Sequence, residues 1–145
     1  MIIRKANAED IHALVGLGIQ LWPSYNAKDL AEEFSQIMEQ EDAAFFLAFE
    51  GEQAVGFSQC QLRRDYVEGT ESSPVGYLEG IFVADRFRRR GLAAQLLSAC
   101  EAWAKEKGCE EFASDCELDN ADSLRFHLSL GFAEANRIIC FTKKL

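Results

Sequence analysis

Two carboxylates and one arginine-rich turn carry most of the chemistry that this sequence offers. Glu79 stands in Tyr77-Leu78-Glu79-Gly80-Ile81-Phe82-Val83, a run that otherwise reads as a strand apolar on both faces. An unpaired charge there is costly. Either Glu79 is ion-paired with one of the arginines, or it faces a cleft as general base or as anchor for a cation. Asp115 is equally out of place in Phe112-Ala113-Ser114-Asp115-Cys116. The turn is Arg88-Arg89-Arg90-Gly91-Leu92-Ala93, where the strand gives way to Leu92, Ala93, Leu96, Leu97, Cys100 and Trp103 at helical spacing. A strand-to-helix turn presents unpaired N–H groups at the positive end of the helix dipole, which suits a phosphate. Gly91 lets the backbone approach closely, Ala93 keeps the first turn slim, and the arginines add charge. The spacing predicts a pyrophosphate site. The plainer alternative is a solvated basic loop, since four of the five residues from Arg86 to Arg90 are arginine in an otherwise acidic chain.

These residues need a scaffold. Met1 to Lys5 reads as a first strand, and Asn7 can cap a helix whose apolar face is Ile11, Leu14, Val15, Leu17, Gly18 and Leu21, stopped by Pro23. A second helix runs from about Lys28 to Gln40 with Leu30, Phe34, Ile37 and Met38 inward. Ala43 to Phe49 and Ala54 to Arg63 flank the turn Glu50-Gly51-Glu52 as a hairpin. Tyr66 to Pro74 is a polar loop, followed by the strand through Glu79, the basic turn and a helix to Lys107 closed by Gly108. Glu111 to Cys116 is the next strand. Asp119 or Asn120 starts a helix that Gly131 ends, and Phe132 to Glu134 with Arg137 to Phe141 are expected to close the chain as a final strand pair. The order β-α-α-β-β-β-α-β-α-β-β predicts an α/β domain with a mixed sheet flanked by helices.

At 145 residues the chain is expected to form one domain, residues 1–145. A net charge of −9 disfavours nucleic acid or an anionic membrane as partner and suits a cationic substrate. The five cysteines form no C-x-x-C pair, so neither a zinc site nor a disulfide framework is expected, and no metal is called for. Reduced thiols point to the cytosol, and Cys116 reads as a buried, inert thiol. No stretch resembles a signal peptide or a membrane span.

Arg88-x-x-Gly91-x-Ala93 between a buried strand and a helix resembles the acetyl-CoA motif of the GCN5-related N-acetyltransferases, Q/R-x-x-G-x-G/A. The element order and Leu130-Gly131-Phe132 after the last helix extend the resemblance over nearly the whole chain. It implies a sheet whose central strands splay apart to admit the pantetheine arm of acetyl-CoA. Backbone groups around Ile81, Phe82 and Val83 would then pair with pantetheine, and the amides of Arg88, Arg89, Arg90, Gly91, Leu92, Ala93 and Ala94 would hold the pyrophosphate. Asn120 lies where the family often touches the cofactor from the other side; the alternative is a plain helix cap. Glu79 and Asp115 would face one cleft and together attract a polyamine. His127 stands four residues before Gly131, where many members carry a tyrosine that protonates the departing thiolate. It is either that acid or a core residue of its helix.

Leu21-Trp22-Pro23, Tyr66-Val67-Glu68-Gly69-Thr70, Leu78 to Val83, Glu111 to Asp115 and Leu118-Asp119-Asn120 are similar to strings in the aminoglycoside 6'-N-acetyltransferases, bacterial resistance enzymes. That resemblance implies acetyl transfer to the 6'-amine of the drug, a homodimer, and a drug site lined by Trp22, Tyr66, Glu79, Asp115 and Asn136. Direct attack in a ternary complex is expected because no nucleophile with an adjacent base is evident in the sequence. Tyr25 lies in a loop beside the same cleft, where exposed aromatics suit a sugar ring or a cation, or simply pack. Asn136 departs from the subfamily, which typically has an acid there. Histidine at position 127 is shared with it.

Overall fold

The structure is a computed structural model that describes residues 1–145. Four strands, β1 (Ile2–Lys5), β2 (Ala43–Glu50), β3 (Gln53–Arg63) and β4 (Val75–Val83), run antiparallel to their neighbours, and β5 (Phe112–Ala113) joins β4 in parallel. The sheet order is β1-β2-β3-β4-β5. Side-chain alternation along β2 divides the core. Phe45 and Leu47, with Phe57 of β3, pack against α1 (Ile11–Leu21) and α2 (Ala27–Met38), while Ala44, Phe46 and Ala48 lie with Leu96, Leu97 and Cys100 of α3 (Leu92–Glu106) on the other face. The last helix is α4 (Ala121–Ser129).

Two departures from regular pairing make the site. The first is the divergence of β4 from β5. Only Gly76↔Phe112 and Tyr77↔Ala113 pair, so from Leu78 onward β4 has no partner on that side. This is the splay that the family resemblance implies, although β5 is shorter than the expected Glu111 to Cys116. The second is a β-bulge between β3 and β4. Gln59 pairs with Gly80 and Cys60 with Leu78, which leaves Glu79 as the extra residue. Leu78, Ile81 and Val83 pack toward α3, whereas Phe82 and the α-carbon face of Gly80 turn toward α1. The odd spacing from Leu78 to Ile81 is absorbed at Glu79.

The expected final strand pair is not formed. Gly131 takes a left-handed conformation (φ 93°), and Phe132 packs near Phe112 and His127. Residues 133–145 then run on without helix, strand or any backbone–backbone hydrogen bond. Ile138, Ile139 and Phe141 are exposed. Arg137-Ile138-Ile139-Cys140-Phe141 has strand composition, but it pairs with no strand of the sheet. Cys116 is exposed, not buried; it lies beyond the end of β5, where the apolar run no longer has a layer to enter. Cys60 and Cys100 are buried, and their mutual contact together with burial pushes the Cys60 thiol well above its ordinary value.

Candidate active site

The bulge presents Glu79 to a cavity of about 200 Å³ between the sheet and the first two helices, lined also by Trp22, Tyr25, Leu30, Glu33, Phe34 and Gln59. Trp22 closes its floor. The indole packs edge-on against Phe34 and Phe57, with ring centroids 6.3 and 6.0 Å away, and Tyr25 stands 6.5 Å off toward solvent. The indole fits only because residue 80 is glycine: a Cβ there would lie 2.6 Å from Trp22 Cη2.

Glu79 is ion-paired, but not with an arginine of the turn. Arg63, at the end of β3, places Nη2 at 2.7 Å and Nε at 3.2 Å, both from Glu79 Oε1. Oε2 has no partner in the chain. The Arg63 guanidinium also lies 3.4 Å above the Tyr77 ring. The Tyr77 hydroxyl in turn donates a short hydrogen bond to Asp115 Oδ2. Burial, and then that bond, push the Tyr77 phenol above its ordinary value, so the hydroxyl remains a donor at physiological pH. Both carboxylates singled out in the sequence are thus joined through Arg63 and Tyr77, and neither of those links is legible from spacing. Glu33, a second acid in the cavity wall, is a further residue that sequence reasoning passed over. Arg63 carried no signal in the sequence, because its approach to Glu79 depends on the β3–β4 register, in which it falls opposite Val75, two steps from the pair Gln61↔Tyr77.

The turn after β4 has the geometry of an anion cradle. Gly91 precedes α3 in the left-handed region (φ 77°), and Arg89, a residue with a Cβ, is also left-handed (φ 63°). Strain at a non-glycine residue belongs to loops shaped for a ligand. No side chain caps α3, and the amides of Leu92, Ala93 and Ala94 have no acceptor in the chain. Nothing lies within 4 Å of where a Gly91 Cβ would be. Arg88 donates from Nε to the Val83 carbonyl at 2.8 Å and pairs with Asp85 at 2.8 Å, while Arg90 meets Glu50 at 3.5 Å. Arg86 and Arg89 have no acidic partner. The turn therefore fits a diphosphate, and the unpaired edge of β4 beyond Leu78 leads to it. Ile81 and Phe82 lie on that edge; Val83 does too, but Arg88 already occupies its carbonyl.

The other expected residues distribute as follows. Asn120 is the N-cap of α4, its Oδ1 accepting from the Ser123 amide at 3.0 Å, which leaves its NH2 group free. His127 has both ring nitrogens engaged. Its Nδ1 is 2.7 Å from the Ser123 carbonyl, an acceptor only, so Nδ1 carries the proton and Nε2 faces Ser114 Oγ at 2.7 Å. Tyr66 is 76% exposed on the polar loop and does not line the cavity. Asn136 donates to Glu68 Oε1 at 2.9 Å, also outside the cavity, and so pins residues 133–145 to that loop. The loop is fixed at its other end by Glu111, which accepts from Ser72 Oγ at 2.5 Å and the Glu71 amide at 2.8 Å. Those bonds hold the Glu111 carboxyl below the usual range. No group of His, Cys, Asp and Glu is arranged to hold a metal ion, and no helix is long and apolar enough to cross a membrane.

Residues 11–132 match the Acetyltransferase (GNAT) family. The chain is 43% identical over 138 residues to an aminoglycoside N(6')-acetyltransferase type 1 of Serratia marcescens, covering 94% of each. It is 40% identical to the protein of the same name from Salmonella enteritidis, covering 99% of each. Among solved structures it superposes on the aminoglycoside antibiotic 6'-N-acetyltransferase AAC(6')-IG from Acinetobacter haemolyticus with a TM-score of 0.96 at 39% identity, covering 100% of this chain and 99% of that one. It also superposes on AAC(6')-Iy in complex with the bisubstrate analog CoA-S-monomethyl-acetylneamine, with a TM-score of 0.95 at 40% identity, covering 99% and 98% of the two chains.

Proposed function

The chain belongs to the acetyltransferase (GNAT) family, and from that premise we propose that it transfers the acetyl group of acetyl-CoA to the 6'-amino group of aminoglycosides. The observation that carries this reading is the bulged Glu79, set with a free Oε2 in the wall of a cavity that also presents Trp22, Tyr25 and Glu33. Such a cavity takes a cationic amino-sugar: the rings stack on it, and the acids hold its ammonium groups.

Bound acetyl-CoA supplies the acetyl group as an activated thioester. The amides of Leu92, Ala93 and Ala94, with Gly91 and the residues Arg88 to Arg90, hold the pyrophosphate at the start of α3. The open edge of β4 through Ile81, Phe82 and Val83 would align the pantetheine, and the free NH2 of Asn120 would be available to it at the start of α4. Glu79 Oε2 takes the proton of the acceptor ammonium, and Asp115, oriented by Tyr77, anchors a second ammonium of the drug. His127 Nε2 and Ser114 Oγ, 2.7 Å apart, would be the pair that relays a proton toward the leaving thiolate. A thiolate is a weak base, so this last transfer contributes least. Tyr66 and Asn136, both outside the cavity, would meet only a drug that extends beyond it.

A homodimer suits residues 133–145, whose exposed Ile138, Ile139 and Phe141 find no partner within the chain. A mass from light scattering equal to one chain at micromolar concentration would remove that part of the reading. A cytoplasmic enzyme fits the chain's five free cysteines.

The decisive assay is thiol release from acetyl-CoA with tobramycin, kanamycin, a 6'-hydroxyl aminoglycoside, spermidine and a lysine peptide. Turnover is expected with the 6'-amino drugs alone. Turnover only with spermidine or the peptide would overturn the drug assignment. At Gly80, alanine forces the Trp22 indole from its place; the expected result is about a tenfold rise in KM for the drug, roughly the loss of one aromatic contact, with KM for acetyl-CoA unchanged.

A further inference from the structure

Arg63 sets a counter-charge beside the very carboxylate that is to attract a cation. Glu79 alone would favour the acceptor as an ammonium ion, because an opposite charge stabilises the protonated form. An ammonium has no lone pair and cannot attack. We infer that Arg63 is a positioning residue that acts through Glu79, holding Oε1 so that Oε2 alone meets the acceptor, and supplying a fixed positive charge that favours the neutral, nucleophilic amine. This rests on the reading above, in which the acceptor amine sits at Glu79.

The geometry supports a fixed charge. Two N–H groups of Arg63 converge on the single atom Oε1, and the guanidinium face is stacked on Tyr77 at 3.4 Å. Tyr77 is itself held by Asp115. A guanidinium clamped on both its edge and its face does not swing away when a cation enters. The charged and titratable groups around Glu79 are Arg63 from β3, Tyr77 from β4, Glu33 from α2, Tyr25 from the segment after α1, and Asp115 beyond β5. Arg63 is the cation among them. Its neighbour Arg64 turns away to Asp42. Without Arg63 every charge at the site would hold the acceptor protonated.

The test is the pH profile of kcat, with KM for the drug, from pH 6 to 9 for the full-length protein and its Arg63→Gln, Arg63→Met and Arg63→Lys variants. With Arg63→Gln the acid limb of kcat is expected to move about one unit to alkaline pH, so that kcat falls about tenfold at pH 6.5 and recovers by pH 9. KM for the drug should stay level or fall, since a like charge has been removed. Arg63→Lys should restore most of the original profile, and Arg63→Met should repeat the Gln result if that variant folds poorly. A loss of kcat equal at every pH, or a rise in KM with an unmoved limb, would overturn the inference. The unmodified protein reports on the underlying reading independently. If it acetylates another amine but no drug, the same profiles are taken with that amine. If it acetylates no amine, reading and inference fall together.

Discussion

Glu79→Gln is expected to lower kcat/KM for the drug by about 100- to 10,000-fold, the range for removing a general base. The substitution keeps the volume and an oxygen that can accept from Arg63, so the bulge and the ion-pair partner have no reason to rearrange. What it removes is the basicity of Oε2, the oxygen with no partner in the chain. The loss should fall mainly on kcat and should shrink toward alkaline pH, where the acceptor amine no longer needs a base to take its proton. Steady-state kinetics at several pH values check this. A rise in KM with kcat intact would mean that Glu79 only anchors the drug, with proton removal left to water or to Asp115.

Gly91→Val is expected to raise the acetyl-CoA dissociation constant by about 100-fold, combining strain of about 1–2 kcal/mol at a left-handed position with obstruction of the amides. A β-carbon at Gly91 would have no atom within 4 Å apart from its chain neighbours, so it meets no side chain that must yield. Any obstruction falls on a bound diphosphate. Titration calorimetry with acetyl-CoA measures the effect, and thermal unfolding of the unliganded protein separates it from misfolding. Unaltered cofactor affinity in a folded variant would place the pyrophosphate elsewhere and return Arg88 to Ala93 to the status of a basic loop.

The amino-acid sequence alone determined the features that are written over short distances. The strand-to-helix turn is readable because glycine at a left-handed position and an uncapped helix start are local chemistry, carried by Gly91 and the residues beside it. The helices α1, α2 and α3 and the hairpin of β2 and β3 follow from apolar periods and turn residues a few positions apart. Glu79 is conspicuous because a carboxylate contradicts its own strand. How that contradiction is resolved was decided only by tertiary structure. Whether Glu79 faces the cavity depends on the bulge opposite Gln59 and Cys60, and a shift of one residue in that register would send the side chain to the other face. The same register brings Arg63 to Glu79 across two strands, in place of the arginines nearer in sequence. Tyr77 and Asp115 meet because β4 and β5 pair for two residues and then part. Residues 133–145 make the converse point. Their composition is that of a strand, but pairing belongs to an edge rather than to a sequence, and in the fold they pair with none.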